Sequence, residues 1–96
     1  MIFDFHPEAE TEFIEAIAFY ESIEPSLGEE FSLEVLAAMR NVLSYPNTWP
    51  VLEEGIRRCL VNRFPYGILY SIEPDRIFVL AVMHLHRRPG YWKERR

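Results

Sequence analysis

At 96 residues, 49% of them apolar and 15% aromatic, the chain is long enough for one hydrophobic core and too apolar to stay disordered. Its one cysteine, Cys59, excludes an internal disulfide framework and a multi-thiolate zinc site, and no apolar run approaches the roughly 20 residues of a membrane-spanning helix. The formal charge of −5 averages two unlike halves: residues 1–54 carry twelve acids against Arg40 alone, net −11, and residues 55–96 carry nine bases against three acids, net +6. A single domain over residues 1–96 is expected, soluble, cytoplasmic and strongly dipolar. Its basic half would attract nucleic acid and its acidic half repel it.

Ile2 to Phe5 alternates like a short edge or pairing strand. Pro7 suits the first turn of a helix, where its missing N–H costs nothing. Ala9, Phe13, Ala16, Ile17 and Tyr20 then recur at helical spacing. Glu8, Glu12 and Glu15 read as the solvated face of that helix, favoured by the positive end of its dipole. Pro25 closes the helix. Ser26-Leu27-Gly28-Glu29 has the spacing of a capping box, and Phe31, Val35, Ala38 or Met39, and Val42 mark one face of a second helix that stops before Pro46.

Residues 45–54 read as a loop stiffened by Pro46 and Pro50, with Trp49 as its packing anchor. Beyond Gly55 the period changes from helix to strand. Ile56 to Phe64 is β-like and Pro65 breaks it. Tyr66, Ile68, Tyr70 and Ile72 then alternate with smaller or outward-facing residues. Glu73-Pro74-Asp75 is a turn, and Arg76 to His84 contains the most apolar run in the chain, a strand buried on both faces. The expectation is an α+β fold of order βααβββ, with the N-terminal strand and the αα-hairpin packed on an antiparallel sheet.

The last strand runs into His84, His86, Arg87, Arg88, Tyr91 and Trp92. Cleaving RNA through its own 2′-hydroxyl needs a base, an acid, and a cation for the phosphorane charge. His84, His86 and Tyr91 are the candidate acids and bases, and Arg63 the candidate catalytic cation. Arg57, Arg58, Arg87, Arg88 and Trp92 are candidates for holding a nucleic-acid or protein target, since arginine suits phosphate and carboxylate alike and aromatic rings stack on unpaired bases. His84 and His86 share strand parity with Leu80 and Val82 and should face one side together. The plainer reading of His84 is a hydrogen-bonded histidine at the end of a buried run. The His84-x-His86 pair lacks a third ligand, so no metal is expected. Cys59 reads as a core thiol. Without a glycine-rich phosphate loop, dinucleotide fingerprint or nucleophile elbow, no cofactor is expected.

The order of these pieces resembles the RelE/ParE toxin superfamily of type II toxin–antitoxin systems, the plasmid-stabilisation proteins. The resemblance rests on Ala18-Phe19-Tyr20-Glu21, Gly28-Glu29-Glu30-Phe31, Ile56-Arg57-Arg58, Phe64-Pro65-Tyr66-Gly67-Ile68-Leu69-Tyr70, and Val82-Met83-His84 running into Arg87-Arg88-Pro89 and Tyr91-Trp92. It implies a RelE/ParE-like toxin that inhibits growth and is neutralised by a cognate antitoxin. RelE-like members cut messenger RNA on the ribosome and ParE-like members poison DNA gyrase. Nuclease members carry an arginine after the first tyrosine of a Tyr-Arg-x-x-Tyr pattern, where this chain has Gly67, and they are lysine-rich, where this chain has only Lys93. Both departures incline the resemblance toward a ParE-like action. The alternatives are a ribosome-dependent endonuclease and a non-catalytic protein-binding module.

Overall fold

The computed structural model describes residues 1–95. The elements in chain order are β1 (Ile2–Phe5), α1 (Pro7–Ile23), α2 (Leu27–Ser44), β2 (Val51–Glu53), β3 (Ile56–Leu60), β4 (Tyr66–Ile72) and β5 (Arg76–His84), followed by a 3-10 turn at Lys93–Arg95. One five-stranded sheet has the spatial order β1-β5-β4-β3-β2. The α+β layout is as expected, with two differences. The sheet is mixed, because β1 pairs with β5 in parallel, Ile2 opposite Arg76 and Phe5 opposite Val79. Tight turns impose antiparallel pairing on β2 to β5, whereas β1 is joined to β5 only through the rest of the chain, so the path of the helices sets its direction.

The second difference is β2, which falls inside the segment 45–54 expected to be a proline-stiffened loop. Glu54 and Gly55 both have positive φ, 49° and 79°, the backbone of a two-residue hairpin turn. Glutamate is unusual at the first of these positions, where Asn or Asp is the common signal, so the hairpin is hidden in the sequence.

The junction of the helices also departs from expectation. Ser26 sits in the left-handed region, φ 73°, and its hydroxyl makes no cap. The Glu21 carboxylate does that work from the end of α1, accepting the N–H groups of Ser26 and Gly28, each at 3.0 Å. Gly28 lets the helices meet: a Cβ there would lie 2.5 Å from the Ile17 carbonyl oxygen.

The sheet separates two cores. Beneath the helices lie Phe31, Val35, Met39, Ile68, Tyr70 and Val79 with their neighbours. On the opposite face Ile56, Leu69, Leu80, Ala81 and Met83 pack under Trp92. A bulge explains how β5 serves both. Leu69 opposes Ala81 and Tyr70 opposes Val79, which leaves Leu80 as the extra residue. Side-chain parity flips there. Ile77, Val79 and Val82 belong to the helix-side core and Leu80 to the far one, so the expected shared parity of Leu80 and Val82 is wrong.

Candidate functional site

The pairing of β1 with β5 ends at Phe5 and Val79, with one further bond from the His6 N–H to the Val79 carbonyl at 2.9 Å. Beyond that point the outer edge of β5 would be bare. Glu12 on α1 and Arg95 from the C-terminal turn cover it. The Glu12 carboxylate accepts the Val82 N–H at 3.1 Å, and the Arg95 guanidinium donates to the Leu80 carbonyl at 3.0 Å. The two side chains also pair with each other through two bonds, at 2.8 and 2.9 Å. Glu12 is only 14% exposed and Arg95 9%, so the reading of Glu12 as a solvated residue is corrected. One sequence signal points to this position. Glu12 lies three residues after Ala9 and four before Ala16, between two small residues on the buried stripe.

Tyr91 completes the cluster. Its hydroxyl donates to Glu12 at 2.7 Å. Burial, and then that bond to a carboxylate, hold its pKa well above the ordinary tyrosine range. The Arg87 guanidinium lies over the Tyr91 ring at 4.0 Å. Tyr91 is thus a protonated donor committed to α1. Its neighbour Trp92 is 5% exposed and part of the far core, so its ring is not available for stacking on a target.

The remaining candidates divide among three places. Arg63 ion-pairs with Glu30 at 2.9 Å and Glu34 at 3.8 Å on α2, which draws it away from Tyr91 and toward the helix layer. Arg57 donates to the carbonyls of Trp49, at 2.6 Å, and Asn47, at 3.2 Å, and so secures the loop before β2. His84 Nδ1 accepts the His86 N–H at 3.1 Å, and its ring packs edge-on against Tyr66 with centroids 5.1 Å apart. The proposed acid, base and cation therefore each hold a different structural partner.

What the fold does gather is a set of clefts that share Arg87, two of them lined by candidate residues on opposite faces of the sheet. On the far face, a cleft of about 290 Å³ is lined by Leu52, Arg58, Met83, Leu85, Arg87 and Trp92, with Lys93 and Glu53 paired across its rim at 3.1 Å. Arg58 makes no side-chain hydrogen bond or ion pair among the described residues. Its stem rests on Gly67, where a Cβ would come within 3.1 Å of the Arg58 Cγ and Cδ. Gly67 is therefore the seat of the Arg58 side chain as well as a missing cation. Arg88 is exposed and likewise has no side-chain hydrogen bond or ion pair among the described residues. The second cleft, about 210 Å³, lies between α1 and β5 and is lined by Glu12, Glu15, Phe19, Tyr66, His84 and Arg87 among others.

Cys59 is a core residue, 2% exposed, its thiol pushed up to about 11 by burial. It should stay unmodified by a thiol reagent at pH 8 while the protein is folded and react stoichiometrically once unfolded in urea. Reaction of the folded protein at the rate of a free thiol would contradict that placement.

No family model matches the chain, and no curated protein sequence matches it. Among solved structures, it is similar to a chain of one described as "Chromosomal ParDE TA system from P. aeruginosa", with a TM-score of 0.78 and 14% sequence identity over 90% of this chain and 97% of that one. At that identity the likeness is one of fold. It extends over nearly the whole of both chains rather than a shared fragment, and it accords with the RelE/ParE-like arrangement expected from the sequence.

Proposed function

We propose that this protein is the toxin of a type II toxin–antitoxin module, held in check by a cognate antitoxin and acting in the cytoplasm by gripping a macromolecular target. The observation that carries the reading is the likeness of fold to a chain of a ParDE system along nearly the full length of both. Among the possible targets, a ParE-like grip on DNA gyrase fits the side chains better than cleavage of ribosome-bound messenger RNA. Tyr91 is clasped by Glu12, Arg63 by Glu30, and His84 by its own loop. Position 67 offers no cation. Among the described residues of the basic half, Arg58 and Arg88 make no side-chain hydrogen bond or ion pair, and Arg87 lies between the two clefts. Guanidinium groups beside apolar surface are common anchors at protein interfaces.

Induced expression without a partner is expected to arrest growth, and co-expression of a small reading frame adjacent to this gene to relieve it. Primer extension should find transcripts intact while a DNA-damage reporter rises. The double variant Arg58→Ala with Arg87→Ala should restore colony formation at least about tenfold, as loss of two interface anchors of roughly 1 kcal/mol or more each implies. Normal growth with soluble protein present would rule out the toxin reading. Transcripts cut in a pattern that His84→Ala or Tyr91→Phe abolishes would transfer the assignment to the nuclease alternative.

A further inference from the structure

The cleft between α1 and β5 differs chemically from the one across the sheet. Three rings line it: Phe19, which is 57% exposed, Tyr66, and His84, which packs edge-on against Tyr66. Two carboxylates share the wall. Glu12 is already neutralised by Arg95, but Glu15 makes no hydrogen bond or ion pair among the described residues. Among the described residues Arg87 is the one arginine or lysine lining the cleft, and its guanidinium is engaged over the Tyr91 ring. Aromatic rings beside an unpaired carboxylate are the surroundings that hold a guanidinium or ammonium group. At about 210 Å³ the cleft is smaller than typical small-molecule sites, and that size suits one long side chain.

The surrounding charge has the matching sign. Residues 7–44 carry nine glutamates and one arginine. Among the described residues, only Glu8, Glu12, Glu30 and Glu34 of those nine are in ion pairs. The helix layer therefore presents a net negative field that steers a basic segment toward this face.

We propose that this cleft receives an arginine or lysine side chain from the partner protein, with Phe19, Tyr66 and His84 as its aromatic walls and Glu15 as its counter-charge. Naming that partner as the antitoxin rests on the toxin reading above; the preference of the cleft for a cation does not. The segment of the antitoxin that crosses α1 is then basic.

The test uses the isotopically labelled full chain and three blocked tripeptides, Gly-Arg-Gly, its citrulline analogue and Gly-Glu-Gly. The arginine peptide should give saturable amide shifts centred on Glu15, Phe19, Tyr66 and His84, with affinity at least about fivefold above citrulline. Glu15→Gln and Phe19→Ala, both exposed and so expected to fold, should each weaken it by a similar factor. Absence of saturable shifts, equal binding of citrulline, or indifference to both variants would overturn the proposal. Preferential binding of Gly-Glu-Gly would also overturn it and give the cleft to an acidic group through Arg87. Growth arrest is read separately, so a cleft that binds arginine in a chain that does not arrest growth defeats only the toxin reading.

Discussion

Replacing Glu12 with alanine is expected to cost about 3–5 kcal/mol of folding stability, the usual penalty for removing one partner of a buried ion pair. Three groups lose their acceptor together: the Arg95 guanidinium, the Tyr91 hydroxyl and the Val82 N–H. The Arg95 guanidinium and the Tyr91 hydroxyl would be left beside the apolar surface of β5 without the carboxylate that satisfies them. For a domain whose whole stability is about 5–15 kcal/mol, that is a large fraction. Urea unfolding of the wild type, Glu12→Ala, Arg95→Ala and the double variant would isolate the pair, because the second substitution should cost far less once the first is present. Additive losses would show that the two side chains act independently and that the clasp is misread. A spectroscopic signature accompanies the loss of stability. Tyr91 in Glu12→Ala should ionise at lower pH than in the wild type, since the carboxylate that disfavours its phenolate is gone.

A loss of about 3–5 kcal/mol is likewise expected for Phe31→Ala, through a cavity rather than a charge. Phe31 is fully buried at the centre of an aromatic cluster. Its ring lies 4.9 Å from Tyr66, 5.1 Å from Tyr20, 5.2 Å from Phe64 and 6.2 Å from Phe13. These neighbours come from α1, from β4 and from the turn before it, and Phe31 itself stands on α2. A void at that point deprives every layer of contacts that no single side chain can move to replace. Phe31→Leu should cost less, as it refills part of the volume. Phe19→Ala should shift stability by no more than about 0.5 kcal/mol, because that ring stands mostly in solvent. Thermal unfolding that fails to separate Phe31→Ala from Phe19→Ala would contradict the packing described here.

The two predictions bear differently on function. The Glu12 clasp holds Tyr91 and Arg95 against β5 and so shapes both clefts that flank Arg87. The Phe31 cluster sets the distance between the helix layer and Tyr66, a wall of the smaller cleft. Both substitutions should therefore alter partner binding as well as stability. The Arg58 and Arg87 substitutions act at exposed or half-buried cations and should leave folding nearly intact.

Periodicity was the most legible part of the sequence. The strand–helix–helix–strands order, the stripe of Ala9, Phe13, Ala16 and Tyr20, and the two-sided burial of β5 all follow from spacing, because 3.6- and 2-residue periods are local properties of the backbone. The capping of α2 was misread because the carboxylate that does the work comes from Glu21, outside the four-residue window in which capping boxes are sought. The far side of the sheet was hidden because its cover is an irregular segment with no period at all.

The amino-acid sequence by itself determined both helices, every strand but β2, their order and the uneven charge of the two halves, since each depends on neighbours close along the chain. Only the tertiary structure decided which polar groups are free. Glu12 and Arg95 lie 83 residues apart, Tyr91 and Glu12 79 apart, and Arg63 and Glu30 33 apart. Pairings over such separations are created by the packing of α1, α2 and the C-terminal segment on the sheet, and no local pattern encodes them. They turn Tyr91 and Arg63 into parts of the framework and leave Arg58, seated on Gly67, as a cation with no ion pair among the described residues.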